Sequence, residues 1–370
     1  MPGRRIEDPT GVYIEAVPPF SYAAGCDSLV LALQSAAAAM GHYISYPMLK
    51  GFSALAFRLL FHQDWCRYSP DALEGYDHSH LAFGCLGFKP IAAHIPPDDA
   101  EAVQKSRMTI IANLRAGRPM LGLHLMDRDD WGVIAGYTRG AQTLLCRTPH
   151  DDNSPRLVEN KNWPTMILEF HPSTTSRLTD RKSRILQSLR VAVDLFEAEQ
   201  YGPLYSGRAA YLYWIAGLRD EKTFARLEER GGREYSYWIS LLRGADSENY
   251  RLDRRYSSPY LERAHVNAWR LTSLIDARRS AAHYLQAIAA DFTGEPAALL
   301  MEAAGHYCRV EALLENVRAC APWEYQLNEI PWTNAMRLEQ ARALEQALGE
   351  EGQAVEALAA CVEHVARASA

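Results

Sequence analysis

Hydrophobic residues follow different patterns in the two halves of the chain. In the first half, short apolar runs end at turn residues, which is typical of antiparallel strands. The clearest of these runs are 120–125, 130–137 and 143–147. From residue 180 onward, apolar residues recur at helical spacing almost to the end of the chain. The pattern therefore predicts an α+β domain over 1–172 and an all-α domain over 180–370.

One predicted helix is apolar on nearly every face. The stretch Gly25–Gly41 reads Gly-Cys-Asp-Ser-Leu-Val-Leu-Ala-Leu-Gln-Ser-Ala-Ala-Ala-Ala-Met-Gly, which leaves no wide polar stripe. A helix of this kind belongs in the middle of a domain, and it is too short to span a membrane. Asp27 or Ser28 is expected to cap its first turn, and Cys26 stands directly before it.

The same patterns predict further helices and strands. In the first domain they are a strand at 12–17, helices at 48–61, 81–88 and 100–116, and strands at 91–95 and 166–170. In the second domain the predicted helices are 180–200, 206–218, 220–230, 233–245, 258–292, 295–320 and 333–367. The segment 322–333 interrupts them with Trp323, Tyr325 and Trp332. It could form a lid over the first domain or a packed loop between helices.

Composition narrows the classes of function. The chain has 370 residues, which is enough for two or three domains, and 48% of them are hydrophobic, so sizeable cores are expected. The net charge is -6 and basic residues are spread along the chain, which argues against nucleic-acid binding. The seven cysteines stand singly, without CxxC or metal-ligand spacing, so we expect no disulfide framework, metal or cofactor. Because residues 1–8 are charged and no long apolar run follows, we expect a cytoplasmic protein without a signal peptide or membrane span.

Cys26 is the first candidate for chemistry because it stands at the start of the buried helix. The helix dipole places partial positive charge there, which favours the nucleophilic thiolate. Backbone N–H groups of the first turn could also stabilise an oxyanion. Cys26 could instead be a small buried hydrophobic residue, and the neighbouring carboxylate of Asp27 would oppose its ionisation.

Three features of the first 170 residues resemble the papain-like cysteine peptidases. They are the loop and helix around Cys26, the Gly117-Arg118-Pro119 turn before a strand, and the Trp131-Gly-Val-Ile-Ala-Gly-Tyr137 strand. The similarity is greatest to the peptidase-C39-like group, which includes the N-terminal domain of the butirosin biosynthesis acyltransferase. The segment 45–57 is also similar to uncharacterised bacterial members. The resemblance implies a papain-like first domain, cysteine-dependent acyl transfer and a role in bacterial biosynthesis.

The family pattern carries over to this chain only in part. In the family, a histidine six residues before the glycine of the Gly-Tyr pair is the base, and an Asp or Asn on the next strand orients it. Here the histidine position is Asp130 and the orienting position falls near Thr148. The histidines that could replace the base are His94, His124 and His150. We therefore predict Cys26 as nucleophile, His150 as base and Asp130 as its orienting carboxylate, although each histidine could also be a surface or structural residue.

Other residues near this arrangement are expected to serve the substrate. Tyr22 and the backbone at Asp27 are the expected oxyanion donors, and Trp131, His124 and Asp129 are expected to contact the substrate. A cluster of aspartates at one end of the sheet would favour a small cationic substrate, or it could be an ordinary polar rim. Its members are Asp127, Asp129, Asp130, Asp151 and Asp152.

The sequence favours a cysteine-dependent acyl-transfer enzyme. It would be an amide hydrolase or acyltransferase that works through a Cys26 thioester on a small-molecule or acyl-carrier substrate. Two other classes of function stay open. One is a catalytically silent papain-like domain that binds a small molecule or a protein partner. The other is an interaction protein whose helical half binds the partner; long helices of this kind would also suit a homodimer.

Overall fold

The structure is a computed structural model of the 370-residue chain. The residues it describes are 3–65, 73–96, 98–127, 129–151, 154, 156–173, 180–222, 224, 259–327 and 329–369. The helix predicted at 233–245 lies outside them, as does nearly all of the one predicted at 220–230. Cys66 and Asp152 also lie outside.

The chain is a mixed α/β protein with antiparallel sheets and a helical C-terminal region. The described helices are α1 Ser28–Ala39, α2 Tyr46–Phe52, α3 Ser79–Gly84, α4 Ala100–Arg115, α5 Arg181–Glu197, α6 Gly207–Arg219, α7 Pro259–Ala289, α8 Glu295–Asn316 and α9 Asn334–Ser369. The described strands are β1 Arg5–Asp8, β2 Gly11–Ile14, β3 Leu60–His62, β4 Phe88–His94, β5 Met120–Leu123, β6 Trp131–Thr138, β7 Thr143–Arg147, β8 Val158–Asn160, β9 Met166–Pro172, β10 Gln200–Tyr201 and β11 Leu204–Ser206.

The fold consists of two compact units. The first contains Met1–Ser53 and His78–Ile185, and the second contains Ala54–Asp77 and Leu186–Ala370. Residues 54–77 therefore pack with the second unit although they fall inside the predicted domain 1–172. The reason is visible within the second unit, where β3 pairs with β11 in a three-stranded antiparallel sheet.

Strand β6 is the centre of the large sheet in the first unit. Its first half pairs with β5, its second half pairs with β2, and β7 pairs along its length. The sheet continues from β5 through β9 to β4, and every pairing in it is antiparallel. Gly136 allows the close approach of β2, because a Cβ there would lie 2.5 Å from the Cβ of Tyr13. The predicted antiparallel sheet is confirmed.

Helix α1 is buried as predicted and packs against β6 and β5. Nine of its twelve residues are buried. The side chain of Asp27 caps it by accepting a hydrogen bond of 3.1 Å from the backbone N–H of Val30. Gly41 follows the helix with φ 87°, a left-handed conformation that glycine adopts without strain. The helix thus presents a capped N-terminus, with Cys26 just before it, at one end of the sheet.

The helix predicted over 48–61 is wrong beyond Phe52. Helix α2 ends there, and Ala54 has φ 61°, which no α-helix contains. A single 3-10 turn and strand β3 follow. The apolar run alone could not distinguish a helix from a turn and a buried strand.

The second unit has a core of helices. Helix α9 packs against α8 and α6, and α7 packs against α8. Trp332 is 2% exposed, and its ring lies 5.0 Å from that of Phe224. Trp323 contacts His265 and Trp269 at 5.5 and 5.9 Å between ring centroids. These contacts favour the packed-loop interpretation of 322–333 over the lid.

Candidate functional site

The turn before α1 is fixed by packing against Tyr46. A Cβ on Gly25 would lie 2.2 Å from Cζ of the Tyr46 ring, so only glycine fits there. The hydroxyl of Tyr46 accepts a hydrogen bond of 3.0 Å from the backbone N–H of Asp27. Cys26 lies between these two contacts, and its side chain is half-buried. The backbone that carries the thiol is therefore held on both sides.

Asp130 joins Tyr22 and His150. The imidazole Nε2 of His150 lies 2.8 Å from Oδ2 of Asp130, and the hydroxyl of Tyr22 donates to Oδ1 of the same carboxylate. The rings of Tyr22 and His150 meet edge to face at 5.5 Å. His150 is the more exposed member, with 38% of its side chain accessible against 18% for Asp130. The predicted pairing of a histidine with Asp130 is thus present in the geometry.

Ser28 connects this group to the start of α1. Its hydroxyl accepts a hydrogen bond of 3.1 Å from the backbone N–H of Trp131, the residue after Asp130. Burial raises the pKa of Tyr22, and the charge of Asp130 together with the bond to it raises it further, while a hydrogen bond with Ser28 acts in the opposite direction. Tyr22 therefore stays a neutral donor at any physiological pH. Ser28 is two residues after Cys26, so the thiol belongs to the same turn as these contacts.

The connection from β5 to β6, which leads to Asp130, contains two residues in an unusual backbone conformation. His124 has φ 63° and Met126 has φ 60°, both in the left-handed region. The backbone N–H of His124 donates to the carbonyl of Asp130 at 3.2 Å. Non-glycine residues rarely adopt these angles, so this connection carries backbone strain next to Asp130, the carboxylate proposed to orient the base.

The other predicted residues divide into those beside Asp130 and those elsewhere. Nε2 of His124 lies 3.3 Å from Oδ1 of Asp129, so these two pair with each other. Trp131 is 2% exposed and belongs to the core, so its ring does not offer a surface to a substrate. His94 is exposed on β4, which β5 and β9 separate from β6.

The predicted acidic mouth is not assembled by the aspartates that the structure describes. Asp151 is buried and pairs with the guanidinium of Arg147 at 3.4 Å. Burial nevertheless raises the pKa of Asp151, against the opposing effect of Arg147. The side chain of Asp127 lies outside the described part, and Asp129 and Asp130 each have a histidine partner. Among the described aspartates, Asp151 is thus drawn into the interior, while Asp129 and Asp130 lie beside histidines, so a cationic substrate stays a prediction.

Sequence reasoning missed Tyr46 and Lys50. They stand four residues apart on α2, on the same helix face, and both are buried. The ammonium of Lys50 donates to the Tyr46 hydroxyl at 3.3 Å. A buried lysine is unusual, but nothing in the local sequence signals that it is buried. The spacing of four residues was the available sequence signal for this pair. Only the contacts of Tyr46 with Gly25 and Asp27 in the fold connect the pair to the turn that carries Cys26.

No protein-family model matches the chain, and no curated protein matches it. Among the residues that the structure describes, no group of three or more His, Cys, Asp or Glu side chains could hold a metal ion. His78, which precedes Ser79 and His80 in the sequence, is buried with Nδ1 2.7 Å from the carbonyl oxygen of Ser53. No described helix has the length and apolar character needed to cross a bilayer.

Proposed function

We propose that the first unit is a cysteine-dependent acyl-transfer enzyme, an amide hydrolase or acyltransferase that forms a thioester at Cys26. The observation that carries the proposal is the contact of 2.8 Å between His150 and Asp130, which hydrogen bonds link to the first turn of α1. A base whose orientation is fixed by a carboxylate, beside a thiol at a helix N-terminus, is the constellation that thiol acyl transfer requires.

Each residue has a defined task in this proposal. Asp130 fixes the ring of His150, which takes the thiol proton and later returns it to the leaving group. Tyr22 donates a hydrogen bond to Asp130 and so acts on His150 only through that carboxylate. The partial positive charge at the N-terminus of α1 favours the thiolate. The antiparallel sheet with its buried helix suits the papain-like and peptidase-C39-like resemblance, which we keep as part of the proposal.

Selective alkylation of Cys26 is the direct test. The full chain is treated with limiting iodoacetamide at pH 7, and labelling of each cysteine is measured by peptide mass spectrometry. Cys308 is an exposed internal reference whose pKa burial raises, with Glu311 adding to the effect. Burial raises the pKa of Cys85 to about 12 and those of Cys320 and Cys361 to about 11, so these thiols should react slowly. We expect Cys26 to react at least about fivefold faster than Cys308, since the proposed pairing with His150 would keep the thiol largely ionised.

The variant His150→Gln separates activation from mere accessibility. It keeps a polar side chain of similar size but cannot take the thiol proton, so labelling of Cys26 should slow by about fivefold or more at pH 7. Labelling of Cys308 in the same sample should not change. Equal labelling of Cys26 in the two proteins would contradict the proposal that the first unit is an acyl-transfer enzyme. It would leave the silent domain that binds a small molecule or a partner.

A further inference from the structure

The end of strand β5 places His124 between a hydroxyl and a carboxylate. Leu123, the last residue of β5, pairs with Met166 of β9. Because the two strands are antiparallel, the next residue along β5 comes opposite Thr165. Oγ1 of Thr165 lies 2.5 Å from Nδ1 of His124, and Nε2 of the same ring lies 3.3 Å from Oδ1 of Asp129. A hydroxyl, an imidazole and a carboxylate thus follow one another.

The carboxylate of Asp129 decides which nitrogen of the neutral His124 ring carries the proton. An ionised carboxylate only accepts hydrogen bonds, so it favours the tautomer with the proton on Nε2. Nδ1 is then the acceptor, and the Thr165 hydroxyl is the donor in the contact of 2.5 Å. The O–H bond of Thr165 is therefore polarised toward a base whose other nitrogen faces a carboxylate. This order of contacts is the one that activates a hydroxyl nucleophile.

The three side chains lie at the surface, and the backbone of Thr165 is fixed. The accessible fraction is 19% for the side chain of His124 and 34% for that of Asp129, and Thr165 is half-buried. The backbone N–H of Thr165 donates to the carbonyl of Leu123 at 3.2 Å, and its carbonyl accepts from the N–H of Ile95 at 2.7 Å. A small substrate can therefore approach this end of the sheet while the nucleophile stays in place.

We propose that Thr165, His124 and Asp129 form a second nucleophilic site, which takes small esters as substrates. This site uses a hydroxyl instead of the Cys26 thiol, and it does not rest on the function proposed for Cys26. Esters are the substrate class because the alcohol that leaves an ester needs less stabilisation than the amine that leaves an amide.

The reaction at Thr165 has two halves, with His124 as the base in each. Oγ1 of Thr165 attacks the ester carbonyl carbon, the electron pair of the carbonyl bond moves to oxygen, and Nδ1 of His124 takes the hydroxyl proton. When the carbonyl bond forms again, the bond to the alcohol oxygen breaks, and His124 gives its proton to the alcohol. Water then hydrolyses the acyl ester on Thr165, since His124 takes a proton from the water and returns it to the Thr165 oxygen.

Diisopropyl fluorophosphate tests this site independently of Cys26. The hydroxyl oxygen forms a bond to phosphorus while the bond from phosphorus to fluorine breaks, and the hydroxyl proton passes to His124. The full chain is treated at pH 7, and peptide mass spectrometry measures the adduct on each hydroxyl residue. Thr138, another half-buried threonine of the same sheet, is the internal reference. We expect Thr165 to react at least about a hundredfold faster than Thr138, the low end of what a positioned base contributes.

Two variants test the base and its carboxylate. His124→Asn should lower the labelling rate of Thr165 at least about a hundredfold, and asparagine tolerates the left-handed backbone at this position. Asp129→Asn should lower it at least about tenfold, because an amide no longer selects the tautomer. The matched control is His171→Asn, which removes an imidazole from β9 that lies beside Glu169. It should leave the rate within about twofold. Circular dichroism and thermal melting check that each variant folds.

The second site is overturned by any of three results. They are labelling of Thr165 no faster than that of Thr138, an unchanged rate in His124→Asn or Asp129→Asn, and equal losses in His124→Asn and His171→Asn. Each of these results would leave the function proposed for Cys26 standing, because alkylation by iodoacetamide measures that function separately. Selective labelling of Thr165 would likewise stand if Cys26 failed its own test.

Discussion

The buried ion pair between Arg278 and Glu351 offers a sharp test of how the second unit is held together. Both residues are almost fully buried, at 0% and 1% exposure. The Arg278 side chain donates from Nε to Glu351 at 2.9 Å and from Nη2 to the other carboxylate oxygen. Its Nη1 donates to the carbonyls of Ala56 and Arg58 at 2.9 and 3.2 Å. Arg278 thus ties residues 54–58 to helices α7 and α9.

The variant Arg278→Met removes the charge but keeps a long apolar stem. Burial alone would lower the pKa of Arg278, yet Glu351 raises it overall, so the guanidinium is charged in the folded protein. Its loss leaves a buried carboxylate with the Tyr211 hydroxyl as a remaining neutral donor. Breaking one side of a buried pair costs about 3–5 kcal/mol. The two carbonyls that lose their donor place the expected value at the upper end of that range.

Equilibrium unfolding in urea, followed by circular dichroism at 222 nm, measures this cost. Arg279→Met is the matched control, because the adjacent arginine has 44% of its side chain exposed and pairs with Glu311 and Glu315 on the surface. Exposed pairs contribute about 0–1 kcal/mol, so the control should change the free energy of unfolding by no more than that. A loss below about 1 kcal/mol in Arg278→Met, or equal losses in both variants, would refute the reasoning.

Three further outcomes follow from the first unit. Asp130→Asn should slow alkylation of Cys26 as much as loss of the base does, since the ring of His150 loses its charged partner; alkylation at the unchanged rate would contradict it. Gly25→Ala should lower the free energy of unfolding by about 1–3 kcal/mol, because the added methyl overlaps the Tyr46 ring; a thermal melt measures this, and an unchanged melting temperature would argue against the contact. Because burial raises the pKa of Asp151 above 3.8, its contribution to stability is full below pH 3.8 and is lost as the pH rises through the folded pKa. The free energy of unfolding of Asp151→Asn should therefore rise relative to that of the unchanged protein as the pH increases from about 4 to about 7. Urea unfolding of both proteins at each pH measures this difference, and a difference in urea midpoint that shifts the other way with rising pH would contradict it.

The predicted helices and strands are most accurate where the pattern of apolar residues, together with caps or turns, allows a single interpretation. The buried helix, strand β7 and helix α4 were predicted within a residue or two, because an all-apolar helix, a run bounded by turns and a capped helix each have one interpretation. The sequence did not show that 54–77 packs with the second unit. That outcome depends on the pairing of β3 with β11 and on the reach of Arg278, which are contacts between residues more than 140 positions apart.

The candidate site was predictable in its residue types but only partly in its hydrogen bonds. The pairing of His150 with Asp130 followed from topology, since one residue precedes β6 and the other follows β7. The partner of Tyr22 did not, because a hydroxyl near a thiol can serve an oxyanion or a carboxylate equally well. Tyr46 and Lys50 were missed since their spacing of four on a short helix is common. Only the packing of Gly25 makes them part of the site.

The strained connection between β5 and β6 bears on whether this site is retained for function. A non-glycine residue in the left-handed region costs about 1 kcal/mol or more, and His124 and Met126 both lie there within three residues. Fold stability alone would favour glycine or asparagine at these positions. Instead, the backbone N–H of His124 donates a hydrogen bond to the carbonyl of Asp130, and this bond holds the strained conformation. The same bond fixes Asp130, whose side chain contacts His150. Strain of this kind persists where the surrounding structure over-determines it, most often at sites that must be pre-organised. Its position beside Asp130 therefore supports an active base over an ordinary surface turn.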